Sequence, residues 1–143
     1  MASAIRAVVP QIIPREERQA VVSELSGYLT HSDEGVRASA VKTVAVWGTN
    51  EQNHVIEEGL RDGSLRVRHS AAGAALRSSI RSDAIKDSLV AMMNNPTEDM
   101  EVREQAHYAL TNYALDGADY DDFYRFNKDR ERFYQGVRGE PSQ

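Results

Sequence analysis

The chain has 143 residues, a formal net charge of −5 and no cysteine, and its 41% hydrophobic content includes only 7% aromatics. This length suits one domain that buries its core without staples, and the missing cysteines exclude a disulfide framework, thiol catalysis and Cys-ligated zinc. The acidic balance argues against sequence-independent nucleic-acid binding as the main role, and an apolar fraction dominated by Ala, Val and Leu, without alternating β-branched runs, predicts an all-α fold of closely packed helices.

Residues 1–14 are apolar but interrupted by Arg6, Pro10 and Pro14. They are too short to span a membrane and do not read as a signal peptide, so the cytoplasm is favoured. They are expected to form an N-terminal segment covering one end of the domain. Residues 15–115 then read as three helical pairs. The first comprises helices over 15–29 and 34–47. The second comprises 51–61 and 65–79, joined by Asp62-Gly63-Ser64, where Gly loosens the backbone and Asp and Ser accept from free N–H groups. The third comprises 83–93 and 100–115, separated by Asn94-Asn95-Pro96-Thr97, where Pro96 enforces the break. Asn50, and Ser82 or Asp83, are placed to cap the helices that follow them. Short connections make neighbouring helices antiparallel. From residue 116 the character changes. Tyr120, Phe123, Tyr124, Phe126, Phe133 and Tyr134 are six of the chain's ten aromatics, and their spacing predicts a final helix that caps the last pair, with a disordered polar tail over 136–143. The rival reading of this stretch is an arm that folds on contact with a partner.

The second helix of each pair repeats one pattern. Val36-Arg37, Val67-Arg68 and Val102-Arg103 lie 31 and then 35 residues apart, a period that calls for stacked helical hairpins. Val36, Ala40 and Val44 correspond to Val67, Ala71 and Ala75 and to Val102, Ala106 and Leu110. Each trio occupies one helical stripe, and its central alanine permits close approach. With Asp33, Asp62 and Asp99 in the turns, this pattern resembles the HEAT-like repeats of the short bacterial kind, as in phycobilin lyases and many α-solenoid adaptors. The resemblance covers about residues 15–115 and implies a right-handed α-solenoid of about three hairpins with a C-terminal capping helix. It also implies that Arg37, Arg68 and Arg103 pair with Asp33, Asp62 and Asp99, in their own or a neighbouring repeat, as a structural ladder. On function it is nearly silent.

Catalysis has no positive support in the residues. His31, His54, His69 and His107 form no metal-ligand spacing, no nucleophile elbow or phosphate loop is present, and the adjacent carboxylates Glu57-Glu58 and Asp121-Asp122 point apart. No enzyme activity, cofactor or metal is expected. The reading that remains is a non-catalytic protein-binding adaptor whose second helices present a concave face through Lys42, Val46, His69, Arg77, Gln105, Tyr108 and Asn112, with Ser39, Ser70 and Gly73 aligned beside them. The protein partner is unidentified, and self-association is left open. Six basic residues (Arg61, Arg66, Arg68, Arg77, Arg81 and Lys86) against two acids over 61–86 keep an alternative in view. That alternative is a nucleic-acid binder resembling the HEAT-like DNA alkylation-repair glycosylases; a third reading is a lyase-like tetrapyrrole chaperone. Trp47 is either a surface anchor or packed core.

Overall fold

Pro14 opens the first helix, α1 (Arg15–Leu25), where Glu16 and Glu17 sit in the first turn and favour the positive end of the helix dipole. The computed structural model describes residues 14–139. Among these residues it holds seven α-helices and no strand. After α1 the chain tightens into a 3-10 turn at Ser26–Thr30. Helix α2 (Glu34–Trp47) is capped by Asp33, whose carboxylate accepts from Gly35 N at 2.7 Å.

A second 3-10 turn, Asn50–Gln52, leads into α3 (Asn53–Leu60). Its cap is Thr49 in a reciprocal arrangement with Gln52, not Asn50. The Asn50 side chain instead accepts from Arg81 N, 31 residues on. Helix α4 (Leu65–Arg77) follows a turn in which Asp62 accepts from Ser64 N. Helix α5 (Asp83–Asn94) is capped by Ser82, whose hydroxyl accepts from Ile85 N, and α6 (Met100–Leu110) by Asp99. Helix α6 stops short of the expected residue 115. Thr111 donates its hydroxyl to the Tyr108 carbonyl, and Asn112 turns away to donate to the Leu76 carbonyl. The last helix, α7 (Gly117–Arg138), begins at an Asp116 cap and ends at Gly139, whose φ of 72° is a conformation open to glycine. Residues 136–138 of the expected disordered tail are therefore helical. The N-terminal segment through residue 13 and the tail from residue 140 lie outside the described residues.

The apolar stripes determine how these helices meet. Helix α4 packs on α2 and on α6, while α3 touches α2, α4 and α5; α5 lies along α6, and α7 rests on α5 and α6. Ala40, Val44, Val67, Ala71, Ala75, Val102, Ala106 and Leu110 are all buried in one continuous core, and Val36, on the α2 side, is half-buried. Small residues at the centres of these stripes bring helices close together. A methyl group on Gly59 of α3 would stand 2.9 Å from Ala71 Cβ and 3.1 Å from Val41 Cγ2, so this glycine is required by proximity. Trp47 is 6% exposed and belongs to the core. No described helix is long and apolar enough to cross a membrane.

Candidate functional site

The repeated arginines sit four residues beyond the N-cap positions Asp33, Ser64 and Asp99. From there each reaches back over a turn and across to another element. Arg37 donates from Nε and Nη2 to the two oxygens of Asp62 at 3.0 and 3.1 Å, and from Nη1 to the carbonyls of His31 and Ser32. Arg68 repeats this geometry. It donates to both oxygens of Glu98 at 2.7 and 3.1 Å and to the carbonyls of Asp62 and Gly63. Burial alone would raise the carboxyl groups of Asp62 and Glu98, but hydrogen bonds from the arginines and from the Ser64 and Asp99 N–H groups hold both below the usual carboxylate range. Arg103, 6% exposed, donates from Nε to the Met93 carbonyl and from Nη2 to Asp129 of α7 at 3.4 Å.

This arrangement keeps the expected pairing with a neighbouring turn's aspartate at Arg37 and changes it at Arg68 and Arg103. Asp62 receives the preceding pair's arginine, whereas the acid opposite Arg68 is Glu98. The Asp33 and Asp99 carboxylates cap α2 and α6, leaving the acid at the end of the row to come from α7. Ser64 Oγ donating to Glu34 and Ser82 Oγ donating to Glu57 add ties between successive pairs.

The residues expected on the face of the second helices separate into two groups. Lys42, Val46 and Arg77 come together around a groove of about 490 Å³ between α2 and α4, floored by Ala45 and Ala74. Val46 is 65% exposed there. Ser39, Ser70 and Gly73 are buried instead of facing outward. Gly73 is approached by its own helix: a Cβ at that position would stand 2.5 Å from Arg77 Nη2 and 3.2 Å from Cζ, so the guanidinium lies against the glycine. His69 is exposed and Gln105 half-buried. Tyr108 and Asn112 make structural contacts, with Tyr108 Oη accepting from Arg130 at 3.3 Å and Asn112 holding the Leu76 carbonyl. Of the groove floor, Ala45 belongs to the Ala45-Val46-Trp47 departure from the repeat pattern, whereas Ala74 carries no sequence signal, because alanine at a helix seam looks the same whether it is covered or open.

The far end of the molecule is built around His107. This buried ring stacks on Phe123 with centroids 4.0 Å apart, and Phe126, 1% exposed, lies 4.8 Å away. Arg103 and Arg130 lie over the Phe126 ring at 5.2 and 5.8 Å. Burial, with a smaller contribution from Arg130, pushes the imidazole down to about 4, and its buried Nδ1 has no hydrogen-bond partner among the described residues. Tyr134 hydrogen-bonds to Glu104 across the same interface, which raises the phenol. Outward from α7 stand Tyr120, Tyr124, Phe133 and Val137.

The basic stretch over 61–86 does not form one surface. Arg61 ends α3 and Arg66 and Arg68 lie at the start of α4, while Arg77 and Arg81 lie at and beyond its end, about 20 Å away for a 13-residue helix. Arg68 is held by Glu98, and Arg81 donates to the Ser78 and Ile80 carbonyls beneath the Tyr113 ring. A second depression of about 420 Å³ has Arg68 and Glu98 in its wall beside Leu60 and Met92. Among the described residues no group of three His, Asp or Glu side chains converges as metal ligands. No family model matches the chain, and no curated protein or solved structure matches it significantly.

Proposed function

We propose that the protein is a non-catalytic, protein-binding adaptor: a short right-handed stack of three HEAT-like hairpins, α1–α2, α3–α4 and α5–α6, closed at one end by α7. The recurring arginine, bound at Arg37 and Arg68 to two backbone carbonyls of its own turn and to both oxygens of the next turn's acid, and at Arg103 to the Met93 carbonyl and Asp129, supports the repeat reading. The observation that carries the binding reading is the α2/α4 groove, where Lys42, Val46 and Arg77 meet on rigid helices over an alanine floor. Helical surfaces of this kind bind by presenting preorganised side chains, so little entropy is lost on contact.

The duplex-binding reading is disfavoured because the basic residues are split between the two ends of α4 and several already have partners. The test is a pull-down from lysate of the source cells with wild-type protein and a Lys42→Ala/Val46→Ala/His69→Ala/Arg77→Ala variant. All four side chains are exposed, so the variant should keep the wild-type circular dichroism. A protein identified by mass spectrometry with wild type and missing with the variant supports the proposal. Equal capture moves the contact elsewhere, and capture of nucleic acid alone would sink the adaptor reading.

A further inference from the structure

The six cations carried by α2, α4 and α6 are used unequally. Arg37, Arg68 and Arg103 each hold a carboxylate, and Arg66 lies across Gly35 at the start of α2. Lys42 and Arg77 have no hydrogen-bond or ion-pair partner among the described residues, and both border the α2/α4 groove. Its lining is Lys42, Ala45, Val46, Ala74 and Arg77, with no carboxylate. In a chain of net charge −5, this is a local cationic site with an apolar floor.

Gly73 shapes the groove further. Because it has no Cβ, the guanidinium of the exposed Arg77 can approach the helix at this position. Arg77 therefore borders the alanine floor as a planar donor fork, a geometry that suits two-point contact with a carboxylate. Lys42 supplies a second, more flexible cation from the facing helix. A volume of about 490 Å³ lies within the range of sites that hold a few side chains.

We infer that the α2/α4 groove binds an acidic peptide segment of the partner, with carboxylates meeting Lys42 and Arg77 on either side of a small apolar side chain seated against Ala45, Val46 and Ala74. This rests on the adaptor reading and names the chemistry of its partner. Apolar contact on the exposed Val46 supplies affinity, while the two unpaired cations select charge and speed encounter.

The experiment is selection of a random dodecapeptide phage library on the immobilised full-length chain. The most enriched sequences are then measured as fluorescein-labelled synthetic peptides by anisotropy. Enrichment of sequences with at least two carboxylates flanking Ala, Val or Leu is expected. Their affinity should fall at least tenfold in Lys42→Glu/Arg77→Glu and weaken steeply with salt, and the charge-reversed variant should select Lys- and Arg-bearing peptides. Enriched peptides without an acidic excess, acidic peptides insensitive to the charge reversal, or no enrichment at all overturn the inference. A nonspecific 20-base-pair duplex that binds through Lys42 and Arg77 when no acidic peptide is selected overturns it in favour of nucleic acid. If peptide selection fails while the lysate pull-down still depends on the four exposed residues, the adaptor reading survives and only the acidic-peptide chemistry is lost.

Discussion

At the scale of single residues, His107 gives the sharpest expectation. In the unfolded chain its imidazole titrates near 6.5 and in the folded chain near 4, so between those values the unfolded state binds the extra proton. Stability is therefore highest above pH 6.5 and falls as pH drops through about 4, by about 3 kcal/mol at most for a shift of this size. Urea denaturation at pH 7, 5.5 and 4.5 should show this decline, and His107→Phe should flatten it. Asp62 and Glu98 act lower on the scale. Their carboxyls are depressed, so their contribution is present above the ordinary carboxylate range and is lost as pH falls toward the depressed values. The pairing of Arg68 is also testable. A double-mutant cycle should give a coupling of about 1 kcal/mol between Arg68 and Glu98, a half-buried bidentate pair discounted for solvent screening, and almost none between Arg68 and Asp99. Asp99→Ala should still cost about 1 kcal/mol, through loss of the α6 cap.

At the scale of helices, two glycines predict opposite outcomes from the same substitution. Gly59 faces Ala71 and Val41 across helix contacts, where its added methyl meets side chains fixed by the core. Gly59→Ala should destabilise by about 1–3 kcal/mol, through overpacking. At Gly73 the three nearest atoms all belong to the far end of its own helix's Arg77, which can swing away. Gly73→Ala should therefore stabilise by up to about 1 kcal/mol through helix propensity, while displacing the guanidinium from its place beside the groove. Thermal melts of the two variants check both signs. An equal loss in each would show that Arg77 is as firmly held as the core.

At the scale of the molecule, α7 covers one end of the α5 and α6 helices. It is about 33 Å long against about 17 Å for α6, and its contacts with α6 run through Phe123, Phe126, Asp129, Arg130 and Tyr134. Asp129 stands opposite Arg103 where Asp62 and Glu98 stand opposite Arg37 and Arg68. The acid opposite Arg103 thus comes from a helix, where those opposite Arg37 and Arg68 come from turns. Phe126→Ala should cost about 3–5 kcal/mol, as expected for a fully buried aromatic. Hydrogen exchange should show α7 and α6 losing protection together while α2 retains its own. Uniform loss along the chain would instead mean that the end helix and the first hairpins unfold as one cooperative unit.

The sequence by itself determined the all-helical class, the positions of the helix starts and turns, and the stripes of the core. These follow from local periodicity and cap chemistry: Ser82 caps α5 through a hydroxyl that accepts from Ile85 N, and the alanine–valine stripes recur at helical spacing, whereas Asp33 and Asp99, expected as arginine partners, cap α2 and α6. The three arginines were also legible as a set, because each falls at one position in its helix. Which carboxylate each meets was decided only by tertiary structure. Glu98 and Asp99 are adjacent in sequence, yet one turns toward Arg68 and the other toward its own helix, a choice made by the path of the longer turn. Tertiary packing likewise gave the exposed Tyr108 and Asn112 hydrogen-bond partners in other elements, buried Ser39, Ser70 and Trp47, and left Lys42, Val46 and Arg77 around an open groove. Local patterns report the face of a helix. Whether that face is covered depends on the distance to the next helix, which is fixed by residues far away in the chain.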